Sequence, residues 1–224
     1  MAQVTVRQTT AELPGLPGKA ELVRVESLGT PGGSVSRFVL TGGRFRALDL
    51  TDMRLLDGMV SSVSAETAQF KGLQASRVEF DGCDIGGSRW TGGKLSRTRF
   101  EGCKLLGARF ENVALNHVIF SHCKLDYAVL ERVRATGPVL FVGCSLREAE
   151  FRGCDLGRSA FDDCDLRLAG FGPGAYRGCD LRGNDLSGLC GVQHLSRVVI
   201  DRAQLLQLAE ALAAGLEVSF GDDR

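Results

Sequence analysis

The most regular part of the chain, residues 80–125, reads FDGCDIGGSRWTGGKLSRTRFEGCKLLGARFENVALNHVIFSHCKL. Every fifth residue of this segment is large and apolar, through Phe80, Ile85, Trp90, Leu95, Phe100, Leu105, Phe110, Leu115, Phe120 and Leu125. From Ile85 onward, a smaller residue stands two positions before each of these large residues, as Cys83 does before Ile85. Neither an α-helix nor a β-strand has a period of five. The segment is therefore a tandem repeat of five residues.

A longer period of 20 residues overlies the five-residue repeat. Phe80, Phe100 and Phe120 are 20 residues apart, and so are the cysteines at 83, 103 and 123. Four pentads per turn predict a four-sided coil that buries its apolar residues only by stacking on its neighbours. Aromatic and aliphatic residues alternate along the pentads, so the aromatic residues are expected on two opposite walls. The fold class predicted is an all-β solenoid.

The repeat has limits and one interruption. Residues 1–37 lack the period and are expected to form an N-terminal cap, residues 38–188 the coil, and residues 189–224 a C-terminal segment. After Leu140 the pattern resumes one residue late at Leu146, which predicts a bulge within 141–145. Three apolar residues would then lie outward or in a loop, as a contact patch or as local packing over the bulge: Val139, Phe141 and Val142.

The C-terminal segment has the pattern of a helix followed by a strand. Asp201 is a candidate cap for a helix over 202–214, and residues 216–220 alternate as a strand does. The segment carries more apolar surface than covering a coil end requires, so dimerisation is the functional interpretation and simple capping the alternative. The residues assigned to dimerisation are Leu205, Leu208, Leu212, Leu216, Val218 and Phe220.

Composition and motifs exclude several classes of function. The 27 basic and 27 acidic residues cancel, which argues against direct nucleic-acid binding and against an acidic membrane surface as partner. No apolar run is long enough to span a membrane and the start lacks a secretory leader, so a cytoplasmic protein is expected. Seven of the eight cysteines fall on the smaller inward position and are expected to be free, buried thiols. No catalytic, cofactor-binding or metal site is predicted, and the protein is not expected to be an enzyme.

The repeat resembles the pentapeptide-repeat family in Cys83-Asp84-Ile85, Cys154-Asp155-Leu156, Cys164-Asp165-Leu166, Cys179-Asp180-Leu181 and Asn184-Asp185-Leu186. This resemblance implies a right-handed quadrilateral β-helix. The C-terminal segment is similar to the dimerising end of the quinolone-resistance and toxin-immunity members. Those members bind type II topoisomerases such as DNA gyrase as mimics of duplex DNA and shield them from poisons. The resemblance thus implies a topoisomerase partner and a homodimer; an interaction scaffold with another protein partner is the alternative.

Charges outside the coil are predicted to sort onto separate walls. Beside the wall of Phe80, Phe100 and Phe120 lie mainly acidic residues, which we expect to face the topoisomerase: Glu79, Asp81, Glu101, Asp162, Asp163 and Asp180. The neighbouring wall is mainly basic, with Arg77, Lys94, Arg97, Arg134, Arg158 and Arg177. Solvated charge without a partner is the alternative for both walls.

Overall fold

The structure is a computed structural model that describes residues 2–16, 18, 21–216 and 218. Its strands in chain order are β1 (Gln3–Val6), β2 (Thr9–Glu12), β3 (Val23–Arg24), β4 (Ser34–Thr41), β5 (Arg44–Asp49), β6 (Arg54–Ser61), β7 (Ser64–Lys71), β8 (Gln74–Asp81), β9 (Arg89–Thr91), β10 (Lys94–Glu101), β11 (Arg109–Glu111), β12 (Ala114–Ser121), β13 (Val129–Glu131), β14 (Arg134–Ala135), β15 (Val139–Val142), β16 (Glu150–Arg152), β17 (Ser159–Asp162) and β18 (Gly170–Phe171). Strands β3 to β18 form two parallel sheets, and the chain passes from one sheet to the other within every coil. The first sheet runs β3-β4-β6-β8-β10-β12-β15-β17 with β14 beside β12, and the second runs β5-β7-β9-β11-β13-β16-β18.

Pairing between coils confirms the 20-residue period. Leu95 pairs with Ala75 on one side and Leu115 on the other, so each inward residue lies directly above its counterpart in the next coil. The ring of Phe100 stacks on Phe80 at 4.9 Å and on Phe120 at 4.8 Å. Trp90 belongs to the second sheet and meets Phe100 edge to face at 5.8 Å. The two aromatic walls predicted from the sequence are therefore present and touch across the core.

The one-residue insertion lies earlier than the sequence analysis placed it. Leu115 pairs with Ala135, whereas Phe120 pairs with Phe141, so the extra residue falls within 136–138. The amides of Thr136 and Gly137 both donate to the carbonyl oxygen of Leu115, at 2.8 and 3.3 Å, which accommodates the additional residue at this corner. The bulge predicted within 141–145 was therefore wrong. Val139 and Phe141 are fully buried inside the coil and form no contact patch.

An N-terminal β-hairpin explains why the frame was misread. Strands β1 and β2 pair antiparallel and lie on the outer surface of the first sheet, where Val6 and Ala11 form the inner side of the hairpin. They pack on three apolar residues that occupy the same outward position in successive coils: Ile119, Leu140 and Ala160. Leu140 looks like an inward residue because it is apolar, yet it is buried by the hairpin. Val142, the third residue of the predicted patch, is partly buried in the same cluster.

Residues 1–37, expected as one cap, divide into two parts. Strand β3 pairs with β4 at the first coil, and Leu28 is buried with the core residues of the coil. This part lies over the open end, where unpaired backbone groups need partners. The hairpin, by contrast, lies on the side of the coil.

The C-terminal helix α1 (Leu205–Gly215) follows a 3-10 turn, Arg202–Gln204, and lies over the last coil. The buried amide of Gln204 donates to the carbonyl oxygens of Leu181 and Asn184 at 2.9 and 2.8 Å. Gln207 accepts a hydrogen bond from the amide of Leu186 at 3.1 Å. One face of the predicted helix therefore caps the coil. The strand predicted over 216–220, including Phe220, falls largely outside the described residues.

Ala11→Asp is expected to release the hairpin and leave the coil folded. Ala11 is fully buried against the outer surface of the sheet, where an unpaired carboxylate is strongly disfavoured. Trypsin should then cleave after Arg7 much faster than in the wild type, while circular dichroism stays unchanged. Gln8→Asp, at the exposed turn of the hairpin, is the matched control. Equal cleavage rates in the two variants would contradict the docking of the hairpin.

Candidate functional site

The acidic wall is the outer surface of the first sheet beside Phe80, Phe100 and Phe120, and the structure brings only part of the predicted set together. Glu79, Asp81 and Glu101 lie in neighbouring strands, and Asp81 pairs in register with Glu101. Asp162 ends strand β17 on the same wall, and the exposed Asp163 follows it. The N-terminal hairpin lies between these two groups because it covers Ile119, Leu140 and Ala160.

Basic side chains neutralise much of the acidic wall. Arg99 contacts both Glu79, at 3.6 Å, and Glu101, and His122 Nδ1 lies 3.3 Å from Glu101. Burial raises the pKa of Glu79 even though Arg99 opposes the shift. Burial also disfavours ionised Glu101, but hydrogen bonds from Ser121, His122 and Arg99, with the charge of Arg99, hold its pKa below the usual value. Glu101 is thus an ionised carboxylate that already has Arg99 and His122 as partners.

At the other end of the wall two carboxylates are also paired. Asp162 binds Arg7 of the hairpin at 2.8 Å. Asp180 is only 3% exposed and binds Arg182 at 2.6 Å, so it lies beneath the surface and the expectation that it faces a partner was wrong. Asp81 and Asp163 are exposed and form no ion pair within the described residues. These two carboxylates are the ones most available to a partner.

The neighbouring basic wall holds the other side of the hairpin. Arg97 binds Glu12, and His117 Nδ1 accepts a hydrogen bond from the amide of Glu12 at 3.0 Å. Arg77 binds Asp57 through two nitrogens, one of them at 2.8 Å. The hairpin therefore spans the corner between the two charged walls, with Arg7 on the acidic side and Glu12 on the basic side. Its ion pairs were not predicted because residues 1–37 were assigned to the coil end.

Buried thiols line the inside of the coil and offer no nucleophile to solvent. The seven inward cysteines are free and buried, and Cys190 is exposed. Burial raises the pKa of Cys154 to about 11 and that of Cys179 to about 12, so both are neutral thiols near pH 7. Across residues 2–16, 18, 21–216 and 218, no cluster of three or more His, Cys, Asp or Glu side chains is arranged to hold a metal ion.

A thiol reagent is expected to label one of the eight cysteines promptly in the native protein and the other seven only after unfolding. The exposed residue is Cys190, whereas side chains of the stacked coils enclose the others. Titration with a chromogenic disulfide, with and without denaturant, measures both numbers. Cys190→Ser should remove the prompt phase. Prompt labelling of any inward cysteine would contradict the assignment of the buried positions.

Helix α1 leaves one apolar face uncovered. Leu208 packs on the coil and Ala211 is buried there. Leu205, Leu212 and Leu216, by contrast, are 66%, 38% and 63% exposed, and Val218 is 51% exposed. Of the six residues assigned to dimerisation, Leu208 packs on the coil, four are exposed, and Phe220 lies outside the described residues. The helix has 11 residues, and no helix in the described part of the chain is suited to cross a membrane.

Sequence comparison identifies the repeat. Residues 93–169 match the family model described as a pentapeptide repeat region, and the same residues form stacked four-sided coils in the structure. The coil is a pentapeptide-repeat β-helix. No curated protein sequence matches the chain.

Solved structures similar to this chain include two trypsin-treated forms of QnrB1, a plasmid-mediated fluoroquinolone resistance protein. The first is 17% identical over 85% of this chain and 94% of its own, with a TM-score of 0.41. The second is 20% identical and covers 82% of this chain and 89% of its own, with a TM-score of 0.39. HetL, involved in the regulation of heterocyst differentiation in Nostoc sp. strain PCC 7120, is 16% identical over 77% and 89%, with a TM-score of 0.29. TM-scores below 0.5 do not establish a common structure over the whole chain, so the repeat is assigned from the sequence match and the coil geometry.

Proposed function

We propose that this pentapeptide-repeat protein is not an enzyme but binds a type II topoisomerase such as DNA gyrase in place of DNA and protects it from topoisomerase poisons. The observation that carries the proposal is the regular placement of carboxylates on one wall of a rigid coil. Asp81 and Glu101 lie in register in adjacent coils, about 4.8 Å apart. A row of negative charge on a straight scaffold can imitate phosphates, which follow one another every 3.4 Å or so along each strand.

The uncovered face of helix α1 would join two copies into a dimer long enough to imitate a segment of duplex DNA. A second copy is the occupant we propose, because the exposed leucines lie at the end of the coil, on the helix whose other residues cap it. Residues 38–188 form about seven and a half coils, or roughly 35 Å. Two copies joined end to end would make a rod of at least about 70 Å, comparable to some 20 base pairs of duplex. Leu212→Glu should therefore yield a monomer in light scattering, whereas Leu208→Glu would disturb the cap as well.

A scaffold for another protein partner is the second candidate. The hairpin favours it, since it divides the acidic wall and its Arg7 neutralises Asp162. A continuous mimic of duplex DNA would leave that wall open. The two candidates differ in whether the exposed carboxylates decide binding to the topoisomerase.

Charge reversal at the two unpaired carboxylates tests the proposal. Asp81→Lys combined with Asp163→Lys should weaken binding to the host's immobilised type II topoisomerase about tenfold or more, or about 1.4 kcal/mol. Glu148→Lys, which reverses an exposed acidic residue away from the acidic wall, is the control and should bind as the wild type does. Wild-type protein that fails to bind the enzyme at all would leave the scaffold as the better candidate.

A further inference from the structure

A second charged surface lies where the second sheet meets the basic wall, on the side of the coil away from the acidic wall. Six exposed basic residues flank this edge and are called here the cationic corner: Arg54, Lys71, Arg89, Lys94, Arg109 and Arg134. None of the six forms an ion pair with any residue that the structure describes. In a chain with zero formal charge, this is a local excess of positive charge.

The sheet register fixes the spacing of these six cations. Arg54 pairs with Gln74, Gln74 with Lys94, Lys94 with Ala114, and Ala114 with Arg134. The three cations on the basic wall therefore form a straight column with two coils, or about 9.6 Å, between neighbours. On the second sheet Arg89 pairs directly with Arg109, so these two lie only one coil apart, about 4.8 Å.

Elsewhere on the coil, some similar cations have acidic partners. Arg132 binds Glu111 at 2.7 Å and also Glu131, and Arg152 lies 3.7 Å from Glu150. Glu111 is in the same strand as Arg109 but contacts Arg132 instead. Like charges directly opposite one another in a sheet are unfavourable, and no ion pair within the described residues relieves this cost at Arg89 or Arg109, although Glu111 lines the same surface depression. An anionic ligand would offset it.

The surface between the cations is open and rich in hydrogen-bond donors. A shallow groove of about 210 Å³ separates Arg54 from Lys94, and its lining includes Gln74, Ser76 and Ser96. At the edge itself Gly92 has no atom within 4 Å of the position that a Cβ would occupy. The edge is therefore open at Gly92. Carboxylates also border the corner: Asp52 lies beside Gly72, Glu111 lines a depression with Arg89 and Arg109, and Asp155 pairs in register with Arg134.

We propose that the cationic corner binds the phosphate backbone of duplex nucleic acid without regard to sequence. Phosphates form a continuous row along each strand of a duplex, so successive cations of a regular column can each meet one. Trp90 and Phe110, the aromatic residues of the adjoining strands, point into the core, so the corner offers no stacking platform for single strands. The expectation of no direct nucleic-acid binding rested on a net charge of zero. That zero is a sum in which the charges of the acidic wall cancel those of the basic wall and the cationic corner.

The test is fluorescence anisotropy of the full chain with a labelled 20-base-pair duplex between 50 and 200 mM salt. We expect binding of two unrelated sequences with equal affinity, and a linear fall of log K with log salt at about −0.9 per phosphate contact. Lys94→Gln with Arg109→Gln should make that slope shallower by about 1.8, two contacts' worth. Lys124→Gln removes an exposed cation that also has no ion pair, on another wall, and should leave the slope unchanged.

Three results would overturn the proposal. The first is no binding of the duplex by wild-type protein at 50 mM salt. The second is a loss of slope of about 0.9 in the Lys124→Gln control, half that of the double variant, which would mean that charge acts without regard to position. The third is tighter binding of polyglutamate than of the duplex, which would make an acidic protein the partner. No topoisomerase is present in this assay, so its outcome is independent of the proposed function.

Discussion

Phe100→Ala is expected to lower the free energy of unfolding by about 3–5 kcal/mol. Phe100 is fully buried and stacks on Phe80 and Phe120, with Trp90 against its edge. Truncation opens a cavity in the middle of the aromatic column, and contacts are lost to the coils on both sides. Because each coil contacts only its neighbours, no other part of the chain can fill that space. Urea unfolding followed by circular dichroism measures the change.

Thr91→Ala is the control for this substitution, since Thr91 is exposed on a strand of the same coil. It should change the free energy of unfolding by less than about 0.5 kcal/mol. Equal losses in the two variants would mean that the inward and outward positions have been exchanged.

Gly93→Ala is expected to cost about 3 kcal/mol or more, for two independent reasons. Gly93 has a φ of +89°, which a residue with a Cβ adopts only at a cost of about 1–3 kcal/mol. A Cβ there would also overlap the carbonyl oxygen of Leu73 and lie 2.9 Å from its amide nitrogen. These are backbone atoms of the preceding coil, so relief requires the coils to separate, and overpacking of this kind costs a further 1–3 kcal/mol or so.

Gly92→Ala separates the two causes. Gly92 has a φ of +66°, but the space for a Cβ is empty, so only the backbone strain remains. Its loss of stability in the same unfolding measurement should be clearly smaller than that of Gly93→Ala. If both variants lose the same free energy of unfolding, the close approach of the coils at Gly93 is not a reason why alanine is disfavoured there.

The coil could be predicted from the sequence because its five-residue period is local and uninterrupted from Phe80 to Leu125. The position of the insertion could not, since Leu140 and Phe141 are both apolar and either satisfies the pattern. Leu140 is apolar because the N-terminal hairpin covers it from outside the coil. The hairpin lies more than 120 residues earlier in the sequence, so the local pattern does not reveal it. One signal was available: Ile119 is an apolar residue at an outward position, as are Leu140 and Ala160 once the frame is corrected.

The charged walls were predicted in outline, but their ion pairs were not. Sorting residues by their place in the coil puts Glu79 and Glu101 on one wall, and it also puts Arg99 between them. Whether Arg99 screens both carboxylates depends on side-chain distances that a pattern does not contain. Asp162 is neutralised by Arg7 only because the hairpin docks beside it. The availability of Asp81 and Asp163 is therefore a result of the structure.

Protection of the host's type II topoisomerase is the most direct test of the proposed function. A supercoiling assay in the presence of a topoisomerase poison compares the wild type, the Asp81→Lys/Asp163→Lys double variant and the Glu148→Lys control. We expect the wild type and the control to restore supercoiling, and the double variant to restore much less at equal concentration. Supercoiling that stays inhibited with wild-type protein at every concentration, or that the double variant restores as well as the wild type, would contradict protection through the acidic wall.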